Sequence, residues 1–168
     1  IGQTIQMHPA TKWLVGYVSS ALIASASVWE GTRYYAYMDL AGIPTVCQGH
    51  TGNGIVFGRK YSSAECNAFL RTDLIKHSSG VLECINKPLK ENEFNAFVLF
   101  AYNAGVSGAC GSRAFTQFNL GNSETACKAL AYSGQGVPVW SYVGPKFVQG
   151  LHNRRIYEMK MCLGDKSE

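Results

Sequence analysis

The feature that most constrains the fold is the abrupt change of pattern at Glu30. Before it, from Trp13 to Trp29, no residue carries a charge, and the run is apolar or small enough to predict a helix. Gly31 follows at once, and glycine is the usual residue past a helix terminus. We therefore expect the Glu30 carboxyl at the C-terminal end of the first helix. There the helix dipole and the apolar run disfavour its ionised form, which suits a proton donor.

A hairpin pattern follows directly after this helix. Tyr34 to Met38 and Ile43 to Cys47 are rich in aromatic and β-branched residues, and the four residues between them begin with Asp39. Asp39 is predicted where the first strand enters the turn, and Thr45 is predicted to face back from the second strand. Two carboxylates in different surroundings are the usual equipment for hydrolysis of a glycosidic bond, so this stretch predicts such a site.

The spacing of these three residues, E-x8-D-x5-T within WEGTRYYAYMDLAGIPTVCQGHTG, resembles the active-site segment of the phage-type lysozymes, glycoside hydrolase family 24, especially their lambdoid-phage endolysin branch. The resemblance continues, in the family's order, through AECNAFLRTDL (Ala64 to Leu74), FAYNAG (Phe100 to Gly105) and GLHNRRIYEMKMCL (Gly150 to Leu163). It implies an α+β, lysozyme-like fold in which a small β-hairpin lobe and a larger helical lobe are joined by a long helix.

The resemblance also implies an activity and roles for particular residues. The expected reaction is hydrolysis of the β-1,4 bond between N-acetylmuramic acid and N-acetylglucosamine in peptidoglycan, for host cell lysis. Glu30 is the expected proton donor. Asp39 either activates water, stabilises the transition state or attacks directly, and Thr45 helps to hold the water. His50 and Asp73 are expected to form a structural ion pair, with His50 as a catalytic base the alternative.

Three residues are candidates for substrate contacts. By resemblance to the family's cleft helix, Tyr102 and Asn103 are expected to reach the cleft floor, with core packing or capping as the alternative. Trp140 lies among turn-forming residues, and its aromatic face would stack well on a sugar ring. The alternative for Trp140 is a buried packing role in the helical lobe.

Six cysteines, an even number, indicate disulfides and an oxidising compartment, with free buried thiols as the alternative. Their spacing forms no CxxC or Cys/His cluster, so no metal site is predicted. The sequence by itself leaves the connectivity open. The fold implied by the resemblance favours three pairs, Cys47 with Cys66, Cys84 with Cys110, and Cys127 with Cys162.

The N-terminal region has two parts. Residues 1–12 are polar and show no period, so we expect an irregular arm before a catalytic domain spanning residues 13–168. The uncharged run 13–29 is slightly short, and only weakly hydrophobic, for a membrane span. It is expected to form the first helix, and it is also similar to the signal-arrest-release segment of some phage endolysins. That similarity implies a releasable membrane anchor and export to the bacterial periplasm.

Helical patterns fill most of the chain beyond the glycine-rich loop Gly49 to Gly58. Ser62 and Glu65 form a capping box that opens a long helix, which Lys87 and Pro88 end. The later segments predicted to be helical are Asn92 to Ala104, Gly108 to Phe118, Asn122 to Tyr132 and Lys146 to Cys162, the last with Arg154 and Glu158 as i,i+4 partners.

The charge balance narrows the choice of partners. A formal net charge of +4 is mild and favours an anionic partner such as the bacterial wall, and no basic run predicts nucleic-acid binding. The expected reaction needs no cofactor, and we expect a monomer. Two other functions stay open. One is a lytic transglycosylase, which would use Glu30 alone and leave an anhydro-muramic end. The other is a non-catalytic wall-binding or tail-associated protein that keeps the lysozyme fold.

Overall fold

The computed structural model of the protein describes residues 18–164, which form two compact units, 18–76 and 77–164. The prediction of a small sheet and a larger helical part is confirmed. The first unit contains α1 (Ser20–Glu30), β1 (Arg33–Met38), β2 (Pro44–Cys47), β3 (His50–Thr51) and the start of α2 (Ser63–Cys84). The second contains the end of α2 followed by α3 (Glu91–Ala104), α4 (Val106–Cys110), α5 (Arg113–Asn119), α6 (Ser123–Lys128), β4 (Tyr142–Val143), β5 (Lys146–Phe147) and α7 (Gln149–Leu163).

The first helix is shorter than predicted. The Ser19 side chain accepts a hydrogen bond from the Leu22 N–H (3.1 Å) and caps the helix, so α1 begins at Ser20. A continuous helix from Trp13 to Trp29 is therefore wrong, because Val18 and Ser19 are not helical. The predicted arm 1–12 and residues 13–17 lie outside the described residues. None of the helices within residues 18–164 has both the length and the apolar character that a bilayer crossing requires.

The predicted hairpin is present and carries a third strand. β1 pairs antiparallel with β2, and Thr45 lies opposite Tyr37. β2 then pairs with β3, where Thr45 lies opposite Thr51 and Val46 opposite His50. The order is therefore β1-β2-β3, and Thr45 occupies the central strand.

The helix α2 begins where its capping box predicts. The Ser62 N–H donates to Glu65 Oε2 (2.8 Å), and the Glu65 N–H donates back to Ser62 Oγ (3.1 Å). This backbone hydrogen bond lowers the pKa of the Glu65 carboxyl, because it favours the charged form. Cys66, Leu70 and Leu74 are buried along one face of the helix.

The core of the second unit is built on α3, in which nine consecutive residues from Glu93 to Ala101 are buried. The ring of Phe97 lies 4.8 Å from Phe115 and 5.2 Å from Phe118, both on α5. The predicted helix Gly108 to Phe118 is instead two helices, because Gly111 ends α4 and the Ser112 side chain caps α5. On α7 the predicted Arg154–Glu158 pair is present at 3.3 Å.

Three disulfides link Cys47 with Cys66, Cys84 with Cys110, and Cys127 with Cys162. These are the pairs that the resemblance implied. Each bond joins two residues of the same unit. The first ties β2 to α2, the second ties the end of α2 to α4, and the third ties α6 to α7.

Two helical glycines provide a matched test of packing in the second unit. A Cβ at Gly80 would lie 2.6 Å from Cγ1 and 2.9 Å from Cγ2 of Val106, whereas a Cβ at Gly150 would meet nothing within 4 Å. We expect Gly80→Ala to lower the free energy of unfolding by about 1–3 kcal/mol through overpacking. Gly150→Ala should raise it by up to about 1 kcal/mol through the loss of unfolded-state entropy. Urea unfolding checks both values, and a Gly80→Ala protein as stable as the wild type would contradict the close packing of α2 on α4.

Candidate active site

Glu30 is the last residue of α1 and is half-buried. Gly31 follows with φ +65°, and its N–H donates to the Ser27 carbonyl, which turns the chain out of the helix. The carboxyl reaches the turn between β2 and β3, since Glu30 Oε2 would lie 3.9 Å from a Cβ placed on Gly49. A Cβ at position 49 would be in ordinary van der Waals contact with this carboxyl, so the turn and Glu30 are direct neighbours.

The Asp39 carboxylate lies at the tip of the β1–β2 hairpin and organises its turn. Its Oδ1 accepts hydrogen bonds from the N–H groups of Ala41 (2.8 Å) and Ile43 (2.9 Å). The Asp39 N–H donates to the Ile43 carbonyl (3.0 Å), and the Gly42 N–H donates to the Asp39 carbonyl (3.0 Å). Among residues 18–164 both side-chain bonds go to Oδ1, which leaves Oδ2 to face other partners.

Thr45 is connected to Asp39 through the backbone of Ile43. Its Oγ1 donates to the Ile43 carbonyl (2.9 Å), the same oxygen that accepts from the Asp39 N–H. Cross-strand partners project to one side of a sheet, so Thr45 shares its face with Tyr37 and Thr51. Asp39 lies directly after the last residue of β1, two residues beyond Tyr37. Thr45 is only 3% exposed, so the hairpin holds its hydroxyl in a fixed place.

The predicted contact between His50 and Asp73 is present. His50 Nδ1 lies 2.8 Å from Asp73 Oδ2, and the imidazole stacks on the Phe69 ring at 4.1 Å with an interplanar angle of 2°. The stacking on Phe69 therefore fixes the plane of the imidazole, and the contact with Asp73 fixes the rotation of the ring within that plane. This geometry attaches β3 to α2 and supports the structural role over the alternative of a catalytic base.

The turn that precedes His50 contains a feature the sequence did not reveal. Cys47 has φ +60°, and it is one of only two non-glycine residues with positive φ in the described part of the chain, the other being Trp140. Such a conformation costs a non-glycine residue on the order of 1–3 kcal/mol unless its surroundings impose it. Here Cys47 is buried and bonded to Cys66 on α2. Cysteine has no special preference for left-handed backbone, so no sequence signal marked this position.

The three candidate substrate contacts all belong to the second unit. The half-buried Tyr102 has its ring 4.9 Å from the His77 ring, and Asn103 is exposed. Trp140 is 39% exposed and packs edge-on against Phe100 at 5.2 Å, so one part of the indole is in the core and another is open to solvent. Their predicted roles in substrate binding stay predictions.

A helix that ends in a glutamate, an antiparallel hairpin that carries an aspartate and a threonine, and a larger helical unit define a protein of the lysozyme class. The muramidase domain of SpmX from Asticaccaulis excentricus has a similar fold, with a TM-score of 0.74 and 25% identity over 87% of this chain and 97% of that domain. The endolysin of Escherichia coli O157:H7 phage FAHEc1 is similar with a TM-score of 0.73 and 27% identity, over 91% of this chain and 98% of that one.

The chain belongs to the phage lysozyme family, whose profile matches residues 27–158. Among its relatives is a protein of Pseudomonas phage phiKMV named SAR-endolysin, 37% identical over 94% of this chain and 95% of the relative. A SAR-endolysin of bacteriophage PS119 is 34% identical over 95% of this chain and 98% of its own length. The matched range includes Glu30, the hairpin and most of α7.

Proposed function

We propose that the protein cleaves the β-1,4 bond between N-acetylmuramic acid and N-acetylglucosamine, with Glu30 as general acid and Asp39 and Thr45 as the pair that handles the attacking water. The activity itself follows from the family. The chain is a muramidase endolysin, a glycoside hydrolase that acts on peptidoglycan in host lysis. The single observation that supports the residue assignment is that one carbonyl, that of Ile43, accepts from both the Asp39 N–H and the Thr45 hydroxyl, in the hairpin that follows the helix ending at Glu30.

Glu30 is suited to protonate the leaving oxygen. It is half-buried and is the last residue of α1, and a carboxyl held in place can act as a general acid. The proton would pass from the carboxyl to the glycosidic oxygen as the bond to the anomeric carbon breaks. Gly49 lies beside Oε2, so the backbone of the turn between β2 and β3 is a neighbour of the acid.

The hydrogen bonds of the hairpin indicate how a water would be held. The only hydrogen of the Thr45 hydroxyl is donated to Ile43, so its oxygen can serve the water as an acceptor. Asp39 Oδ1 is occupied by two N–H groups, so Oδ2 is the acceptor that remains. A water that donates one hydrogen to Thr45 and the other to Asp39 keeps a lone pair for attack on the anomeric carbon. Tyr102, Asn103 and Trp140 are the proposed contacts to the sugar chain.

The experiment that tests this function is analysis of the products released from purified sacculi. A hydrolase leaves a reducing N-acetylmuramic acid end that contains one added water. A lytic transglycosylase leaves a 1,6-anhydro end, which is lighter by one water, and a non-catalytic wall-binding protein releases nothing. Mass spectrometry of the muropeptides and a reducing-sugar assay therefore separate all three. Anhydro ends as the main product would refute the hydrolytic mechanism.

Two isosteric substitutions test the water-handling pair. Asp39→Asn keeps a carbonyl oxygen for the Ala41 and Ile43 N–H groups but replaces the second acceptor with a donor. We expect the protein to fold and its kcat on sacculi to fall by about 10²–10⁴-fold, the usual value of a general base. Thr45→Val should lower kcat as well, whereas Thr45→Ser, which retains the hydroxyl, should stay close to the wild type. Equal rates for the valine and serine variants would exclude a role for the hydroxyl.

We further propose that the enzyme acts as a monomer in the periplasm, in a catalytic domain that follows the arm 1–12. All three proposed catalytic residues come from residues 18–76 of one chain, so the chemistry needs no second copy. Several relatives are named SAR-endolysins, and the uncharged run 13–29 of this chain suits a releasable membrane anchor. Fractionation of expressing cells over time tests this, since the protein should pass from the membrane fraction to the soluble periplasm.

A further inference from the structure

We propose that Cys47 and Cys66 are a positioning pair for the catalytic acid, because their disulfide holds the turn beside Glu30 in a left-handed conformation. The turn, here called the acid-side turn, consists of residues Cys47 to His50. This inference rests on the proposed role of Glu30. It assigns to one of the three disulfides a part in catalysis that the other two do not have.

The acid-side turn is unusually constrained. Only three residues, Cys47 to Gly49, separate the paired residues Val46 and His50. Two of these three residues, Cys47 at φ +60° and Gly49 at φ +84°, have left-handed backbone. Glycine adopts this conformation readily, but a residue with a Cβ does so only when its surroundings require it. The position of Gly49, next to Glu30 Oε2, therefore depends on what holds Cys47.

Three contacts attach the acid-side turn to one face of α2. Cys47 is bonded to Cys66, the His50 ring stacks on Phe69, and His50 Nδ1 meets Asp73. The three α2 residues are spaced by three and four positions, so they form one stripe along the helix. Cys47, Val46 and Cys66 are buried in one apolar cluster with Tyr61.

The disulfide holds the first residue of the turn, Cys47, and the contacts with Phe69 and Asp73 hold the last residue, His50. If the bond is removed, the histidine contacts still attach β3 to α2, but nothing covalent keeps a residue with a Cβ in left-handed backbone at position 47. The turn is then free to relax toward negative φ, which would change the position of Gly49 relative to the Glu30 carboxyl. A displacement of about 1 Å in an active site can lower the rate by about 10²-fold.

The test compares three double variants with the wild type on purified sacculi, at several sacculus concentrations so that kcat and KM are separated. Cys47→Ala/Cys66→Ala removes the bond and leaves a Cβ at position 47. Cys47→Gly/Cys66→Ala removes the bond but allows the left-handed turn. Cys84→Ala/Cys110→Ala removes a disulfide of the second unit and is the matched control. All rates are measured well below the lowest midpoint of thermal unfolding, and the wild type and Glu30→Gln are included.

We expect the alanine variant of the first pair to lose roughly 10- to 100-fold in kcat with little change in KM, and the Cys84/Cys110 variant to stay within a few-fold of the wild type. The glycine variant should recover most of the loss, which a purely stabilising role for the disulfide would not produce. Equal effects of the two alanine variants, or no recovery with glycine, would overturn the proposal. If the alanine variant of the first pair does not fold, the glycine variant alone tests the proposal. A glycine variant whose kcat is far below that of the Cys84/Cys110 variant would then reject the proposal. An active Glu30→Gln would instead reject the proposed function.

Discussion

Replacing Glu30 with glutamine should lower the rate of sacculus hydrolysis by about 10²–10⁴-fold, the usual contribution of a positioned general acid. Glutamine has the shape of glutamate, so the end of α1 and the space beside Gly49 are retained. The amide cannot give up a proton to the leaving oxygen, and this loss alone accounts for the expected effect. Circular dichroism and thermal unfolding should show a folded protein, and release of reducing ends measures the rate.

A matched control for this variant is Glu83→Gln, which makes the same change at an exposed position of α2. Its rate should equal that of the wild type. If Glu30→Gln clears permeabilised cells as fast as Glu83→Gln, Glu30 is not the acid, and the assignment of the whole site fails with it.

The largest expected effect on stability comes from a buried cluster on α7, in which two arginines pair with one glutamate. Glu158 Oε1 accepts from Arg155 Nη2 (2.6 Å) and Arg154 Nε (3.3 Å), and all three side chains are at most 6% exposed. Burial raises the pKa of the Glu158 carboxyl against the effect of the two guanidiniums, so desolvation of this group is costly. Glu158→Gln would remove the buried negative charge that both guanidiniums contact. We expect the free energy of unfolding to fall by about 3–5 kcal/mol.

Urea unfolding of Glu158→Gln measures this loss. The control is Glu124→Gln on α6, where the carboxylate pairs with Lys128 (2.6 Å) on the surface. An exposed pair of this kind contributes little, so the control should unfold at nearly the wild-type urea concentration. Similar midpoints for the two variants would contradict the idea that the α7 cluster depends on charge balance.

The parts of the fold that the sequence predicts correctly are those with strong local signals. Each of these signals acts on the backbone nearby. They are the glycine after Glu30, which ends a helix, the aromatic and β-branched residues of the hairpin strands, and the Ser62/Glu65 capping box, which begins α2. The disulfide pairs and the His50–Asp73 contact join residues distant in sequence. They were predictable only through the resemblance, because periodicity carries no information on such contacts.

The parts that were missed have weak or competing signals. β3 consists only of His50 and Thr51, too short to show an alternating pattern within a glycine-rich loop. The uncharged run gave no sign that Ser19 would cap α1, since Ser20 and other small residues follow it. The left-handed backbone of Cys47 depends on a bond to a residue 19 positions away, so no local rule could find it.

The order of the three disulfides has a consequence for how the native bonds form. Along the chain the first cysteine is paired with the second, the third with the fourth and the fifth with the sixth, at separations of 19, 26 and 35 residues. A polypeptide that enters an oxidising compartment from its N-terminus would expose the two thiols of each native pair in succession. Each disulfide could then form before the cysteines of the next pair enter. Short loops are also the least costly to close. The protein should therefore reach its native covalent structure by oxidation alone, with no need for an isomerase to rearrange wrong bonds.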